Sequence, residues 1–325
     1  MSRPNPILQD MPRLVKEIIV LQMDLFSRFS LRQCSKSYQK IIDCSPITLG
    51  SMTIGRNLPH RSNNKDHISF NIESNSVRLN VEFQSDPRDP LGCRIQVKDK
   101  PVKLLKDVDY MENAMACLKF ILKNPNLKLK ALSVRVVPDQ FGKVLSNLND
   151  VLSSLNRQLS TETLWYETNE YHRDFFPSFL SNLKPGVLHK IDLLSPSIPG
   201  FSEIAKSLQW KLAKSACLWE YNLPIDSLLH FQSVHITHRA FFSLEDVKKV
   251  IERGIQSALT KEPFEFSLTE SGLDRNIFAY LEQFEDLNLP FYWTARRIEI
   301  PNTTDYLELK IYYKQLEIKK ITPKE

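Results

Sequence analysis

The chain has 325 residues, of which 42% are hydrophobic, 10% aromatic and 25% charged, a composition that excludes wholesale disorder and leaves room for one large domain or two to three small ones. Its net charge of +5 comes from 43 basic and 38 acidic residues spread along most of the sequence, a mildly basic surface without the concentrated stripe of a nucleic-acid binder. The five cysteines (Cys34, Cys44, Cys93, Cys117, Cys217) form no CxxC, and their odd number argues against a disulfide framework or zinc ribbon and for a reducing compartment.

Residues 10–44 read as helices. Asp10 is placed to cap the first and Pro12 suits its opening turn. Val15, Ile19 and Met23 recur at helical spacing, and Leu14, Ile18 and Leu21 widen the stripe. Asp24 offers a second cap before Leu25, Phe26 and Phe29. Leu31, Cys34, Tyr38, Ile41 and Ile42 continue the helical pattern until Ser45-Pro46 stops it. A piece of this size is too short for a self-sufficient core, yet it carries apolar residues on more than one face. It must dock on the rest of the chain or present its surplus to another protein.

Residues 46–66 read as a polar connector. From His67 to Phe83 the period changes to two, through Ile68, Phe70 and Ile72 and then Val77, Leu79 and Val81, which predicts a β-hairpin. A second hairpin is predicted around Ile95, Val97 and Val102, then a helix over Tyr110–Lys123 stopped by Asn124-Pro125. From residue 128 strand and helix patterns alternate. Strands are expected at Ala131–Val136, Thr163–Tyr166, Leu188–Leu193, Ser215–Trp219, Ser233–Thr237, Phe264–Leu268 and Arg297–Ile300, with helices at Gln140–Leu159 and Leu244–Ala258. The strands recur every ~20–30 residues, the range of leucine-rich and related solenoids, though without a fixed asparagine ladder. A last strand pair is predicted over Tyr306–Ile321, around Tyr313-Lys314-Gln315.

The helical start resembles the F-box of the large nematode F-box family, the F-box A family. The residues that carry the resemblance are Met11-Pro12, Leu14-Val15, Ile19-Val20, Met23-Asp24, Ser27-Arg28, Leu31-Arg32, Cys34-Ser35-Lys36-Ser37-Tyr38 and Ile41-Ile42-Asp43. Lys16, Ile18, Cys34 and Tyr38 depart from the residues usual at those positions. The C-terminal half is similar to the FTH domain that accompanies this F-box, through Leu183-Lys184-Pro185-Gly186-Val187-Leu188, Gln209-Trp210-Lys211, Leu229-His230-Phe231 and Pro301-Asn302 with Tyr306-Leu307-Glu308.

The resemblance implies three regions, an F-box over 7–46, a β-rich connecting region with one helix over 47–127, and an FTH-like α/β substrate-binding domain over 128–325. The fold expected is α/β, a helical F-box and a β-hairpin region followed by an irregular, leucine-rich-repeat-like strand–helix solenoid. The function implied is that of a non-catalytic substrate-recognition adaptor in an SCF-type (Skp–cullin–F-box) ubiquitin ligase. Its partners would be a Skp-type adaptor, through it a cullin, and an unidentified target protein. A stand-alone scaffold that binds protein but recruits no ligase is the alternative. Pro12, Leu14, Val15, Ile19, Val20, Met23 and Leu31 are the expected adaptor-facing set, against the plainer reading that they form the core of a small helical domain.

Other residues carry less. Trp210 and His230-Phe231 suit structural anchoring better than ligand contact. His235 and His238 are three apart on a strand and so point to opposite faces, a poor arrangement for a shared metal. Glu282, Glu285 and Asp286 read as the solvated face of a helix. The aromatic clusters Trp165, Tyr166, Tyr171, Phe175, Phe176 and Phe291, Tyr292, Trp293 suit either a core or an interface. Neither GxSxG, a Walker loop nor a dinucleotide fingerprint occurs, and the chain has only 8 glycines for phosphate-cradling loops. No catalytic site, cofactor, metal, nucleic acid or membrane association is expected. The N-terminus lacks the apolar core of a signal peptide, so the protein is expected inside the cell, in the cytoplasm and/or nucleus.

Overall fold

In the computed structural model, residues 11–55, 67–74, 77–86, 88–98, 100–135, 142–167, 175–194, 201–219, 223–238, 241–269, 272–286, 294–312 and 315–323 are described. Contacts divide the chain into two compact units, Met1–Glu162 with Asn182–Lys184, and Thr163–Ser181 with Pro185–Glu325.

The first unit begins with the three helices that the apolar spacing predicts, α1 (Arg13–Gln22), α2 (Leu25–Cys34) and α3 (Lys36–Cys44). Asp24 caps α2, its Oδ1 accepting from the Ser27 amide at 3.0 Å. Pro12 sits at the cap position of α1 rather than inside its first turn, and its carbonyl accepts from the Lys16 amide at 3.1 Å. Asp10 and the side chains of Leu25, Phe26 and Phe29 lie outside the described residues.

Residues 47–55 overturn part of the polar connector expected over 46–66. They form strand β1 (Ile47–Gly55), followed by β2 (His67–Ser74), β3 (Val77–Asp86), β4 (Asp89–Val97), β5 (Lys103–Leu105), α4 (Tyr110–Leu122), β6 (Leu127–Arg135) and α5 (Gly142–Ser153). Within this unit the strand order is β6-β1-β2-β3-β4-β5, with β1 parallel to β6 and the other pairs antiparallel. The buried positions of β1 change phase, Ile47 and Leu49 on one alternation and Met52 and Ile54 on the other, so no single period of two runs through it. Gly55 closes the strand where a Cβ would collide with the Arg135 carbonyl. Residues 56–66 lie outside the described residues.

The second unit holds β7 (Thr161–Glu167), α6 (Phe175–Ser181), β8 (Lys190–Leu194), α7 (Phe201–Lys206), α8 (Leu208–Leu212), β9 (Ser215–Trp219), β10 (Ser233–Thr237), α9 (Leu244–Leu259), β11 (Glu265–Thr269), α10 (Asn276–Leu281), β12 (Glu285–Asp286), β13 (Thr294–Glu299), β14 (Tyr306–Tyr312) and β15 (Gln315–Ile321), with β7 beginning in the last residues of the first unit. Strands β7 to β11 run parallel in sequence order, and the sheet then reverses, β15 pairing antiparallel with β11 and β14, β13 and β12 following. The strand–helix alternation expected from residue 128 therefore ends at β11, and an antiparallel meander completes the sheet. Along β9, β10 and β11 buried residues alternate with partly exposed ones, as expected of a sheet covered on one face.

The core of this unit is aromatic where the helices are short. Ser207 caps α8, its Oγ accepting from the Trp210 amide at 3.2 Å, and so presents the indole inward. Trp210 is fully buried, perpendicular to both Phe201 and Phe231 at ring separations of 5.0 Å, with Nε1–H donating to the Ser227 carbonyl at 3.0 Å. Tyr166 packs on Phe176 and Phe179, which places two members of the first aromatic cluster, Tyr166 and Phe176, in the core. Tyr171, Phe291, Tyr292, Trp293, Tyr313 and Lys314 lie outside the described residues. Glu285 and Asp286 are not on a helix but in β12, opposite Arg297 and Arg296 of β13.

Candidate functional site

The helix α1 has two unlike faces. One looks into a small core made of Val20, Tyr38, Ile41 and Ile42, against which Leu31 packs. Lys16 lies one turn before Val20 on that inner face. It is buried, with its ammonium 5.7 Å from the centre of the Tyr38 ring and 3.4 Å from the Ser37 hydroxyl. The other face carries Leu14, Val15, Ile18 and Leu21, exposed to 67%, 39%, 52% and 50%. Four large apolar side chains on a ten-residue helix, three of them spaced i, i+4, i+7, form a stripe that nothing among the described residues covers.

Of the expected adaptor-facing residues, Leu14 and Val15 belong to this stripe, and Pro12 is exposed beside it. Ile19 and Met23 are partly buried at its margin. Leu31 is also partly buried, but against the helical core. Val20 is a correction. With 0% exposure it is core and offers a partner no surface, because the i, i+4 pair Lys16–Val20 faces Tyr38. Ile18 and Leu21 were legible only as a widening of the stripe, yet they lie at its centre.

Side-chain hydrogen bonds join the module to the sheet behind it. Arg28 donates to the carbonyls of Met23 at 3.0 Å, Leu21 at 3.1 Å and Pro46 at 2.7 Å, linking the exits of α1 and α3. Burial pushes the Arg28 pKa down, and those three carbonyls solvate its guanidinium in place of water. Helix α3 ends on carbonyls with no partner inside the helix, and side chains supply the donors. Asn124, at the start of the turn before β6, donates to Ser45 O at 2.9 Å and Ile42 O at 3.4 Å. Asn126 donates to Cys44 O at 2.7 Å and the Ser45 hydroxyl to Ile41 O at 2.7 Å. Arg32 makes a two-pronged pair with Asp43 at 2.7 and 3.1 Å while its guanidinium lies 4.4 Å from the Phe120 ring of α4. The stripe on α1 is thus carried by a module fastened to α4 and β6.

The two histidines of the HxxH pair go separate ways. His235 sits on β10 with Nδ1 hydrogen-bonded to the Ser267 hydroxyl and Nε2 to the Thr237 hydroxyl at 3.1 Å. His238 lies beyond the strand end at φ 58 with its ring against Trp219 at 4.9 Å. Among the described residues no three His, Cys, Asp or Glu side chains are grouped to hold a metal, and no helix is long and apolar enough to cross a membrane. His230 is turned inward, Nε2–H donating to the Trp210 carbonyl at 2.9 Å, and burial lowers its pKa below the usual 6.5. None of the five cysteines is in a disulfide.

Comparison with known families adds two matches. Residues 8–49 match the F-box domain and residues 142–272 match the FTH domain. No curated protein and no solved structure matches the chain. The F-box match spans α1 to α3 and the first residues of β1, and the FTH match runs from α5 through β11. F-box domains generally bind a Skp adaptor and so link to a cullin, and the proteins that carry them are generally non-catalytic subunits. The chain thus carries an F-box domain followed by an FTH domain, and the first implies a role in substrate recognition by SCF ubiquitin ligases.

Proposed function

We propose that this chain is the substrate-recognition adaptor of an SCF-type ligase, docking a Skp adaptor through the exposed stripe of α1 and recruiting a target protein through its C-terminal domain. The stripe Leu14, Val15, Ile18 and Leu21, with Pro12, Ile19 and Met23 at its margin, is the observation that carries the reading. It is an apolar surface of the kind buried at protein interfaces, and it lies within the F-box match. Ubiquitin transfer belongs to the other subunits, and this chain contributes proximity by raising the effective concentration of target lysines. Its place is in the cytoplasm and/or nucleus. The parallel run β7 to β11, with helical returns, supports an irregular leucine-rich-repeat-like arrangement in the FTH-like domain, taken as 128–325 after an F-box of 7–46 and a connecting region of 47–127. The succession of F-box and FTH matches supports membership of the nematode F-box A family.

Co-purification of the full chain with a Skp adaptor tests the reading, beside a Val15→Asp variant. Binding by the intact chain and its loss in the variant are expected. Failure of the intact chain to bind would leave a scaffold that recruits no ligase.

A further inference from the structure

At the edge of the second unit where β9, β10 and β11 begin and β15 ends lies an open groove of about 620 Å³. Four lysines, Lys214, Lys261, Lys319 and Lys320, line it against a single acidic residue, Glu265. Their compensation is uneven. Lys320 is bound to Asp305 at 3.1 Å with both side chains nearly buried, and Lys319 faces Glu265 across 3.6 Å with both half exposed. Lys214 and Lys261 are exposed, and neither makes an ion pair among the described residues. Two uncompensated ammonium groups therefore share one groove with two others that are partly or fully paired.

The backbone holds these lysines in place. Lys214 precedes β9, its amide donating to His189 O at 2.8 Å and its carbonyl accepting from the Gln232 and Ser233 amides at 2.8 and 3.1 Å. Lys261 ends α9 in the left-handed conformation, φ 59, with its amide on Ala258 O at 3.1 Å. The Lys320 amide donates to Phe264 O at 3.1 Å, joining the end of β15 to the start of β11. A groove whose cations sit on hydrogen-bonded backbone is preorganised for an anion, at a smaller ordering cost than lysines on a loose loop.

We propose that this groove docks an acidic segment, rich in Asp and Glu, of the target protein, a proposal that rests on the C-terminal domain being the target-binding part. Lys214 immediately precedes β9, and Lys261 stands in the turn between α9 and β11, so both line the end of the sheet at which these parallel strands begin. A nucleic acid fits less well, because Phe264, the one aromatic residue lining the groove, is buried and gives no surface for base stacking.

The experiment uses the full chain co-purified with a Skp adaptor, and follows binding of a fluorescein-labelled peptide of alternating Glu and Gly by anisotropy. The wild type is expected to bind it, with affinity falling as salt rises from about 50 to about 200 mM. Lys214→Glu with Lys261→Glu should weaken binding at least about tenfold at the lower salt, while Lys128→Glu with Lys130→Glu, on β6 of the other unit, should not. Equal binding by wild type and the groove variant overturns the proposal. So does a clear preference for a phosphoserine peptide or for a single-stranded oligonucleotide of equal charge. Retained adaptor binding with no peptide binding refutes the groove alone, and peptide binding without adaptor binding refutes the ligase reading alone.

Discussion

Helices α1 and α9 are both amphipathic, and they end differently. Over its 16 residues α9 buries Val247, Val250, Ile251, Gly254 and Ala258 against the second unit's sheet. It packs so closely that a Cβ at Gly254 would come within 2.9 Å of a Leu307 methyl. Its start is closed by a capping box, the Ser243 hydroxyl accepting from the Asp246 amide at 3.1 Å and the Asp246 carboxylate from the Ser243 amide at 3.2 Å. Over its ten residues α1 has no side-chain cap and buries only Lys16 and Val20, leaving four apolar side chains in water. The contrast separates a helix whose apolar face is covered within its own unit from one whose apolar stripe is left exposed. The stripe lies opposite an inner face that is already packed on Tyr38, Ile41 and Ile42.

The sharpest way to break the comparison is to place the same charge on each helix. Val250→Asp should unfold the second unit, since an unpaired carboxylate in a closed core costs several kcal/mol, and circular dichroism with thermal unfolding would record it. Val15→Asp should leave the melting temperature nearly unchanged while abolishing adaptor binding. A melting temperature that collapses in Val15→Asp would mean that the stripe is internal core.

A smaller effect concerns the fastening of the helical module. Asn124→Ala strips donors from the carbonyls of Ile42 and Ser45, and a loss of about 1–3 kcal/mol in the first unit is expected from urea unfolding. No change would show that the two Asn124 bonds contribute nothing to the fastening of the module. Smaller again, Ser243→Ala should cost about 1 kcal/mol through the lost cap of α9, a device that α1 lacks.

The mildest prediction is a pH dependence confined to the second unit. Burial holds the His230 imidazole neutral in the folded chain, with a pKa below the unfolded value of 6.5. The unfolded chain therefore takes up the proton first as pH falls. Stability from this group is complete above about pH 6.5 and is lost as pH drops through that value toward the lower folded pKa. Melting curves at about pH 7.5 and about pH 5.5 should differ in the wild type and converge in His230→Gln. An unaltered difference in the variant would assign the pH dependence to other groups.

Much of the second unit was readable from local pattern. Ser215–Trp219 and Ser233–Thr237 are strands at the limits that their alternation suggests, and α9 nearly so, because short buried segments between turn residues carry a strong period. Strand β1 was hidden by its change of phase between Leu49 and Met52, and β12 by its two-residue length, which makes a strand only through pairing with Arg296 and Arg297. On α1 the spacing of Leu14, Val15, Ile19 and Val20 announced a helix with surplus apolar residues but not its inward side.

Composition, periodicity and turn residues by themselves determined the helical start, the hairpins, the parallel strand candidates and the surplus of apolar side chains at residues 14–21. Those properties are local, written in spacings of two or 3.6 residues. Tertiary structure decided that Val20 and Lys16 turn inward onto Tyr38 while Ile18 and Leu21 stay outside, that Asn124 and Asn126 close the end of α3 from some 80 residues away, and that Lys214 and Lys261 meet in one groove. Each of these depends on which distant segments pack together, and packing between remote segments leaves no period in a single chain.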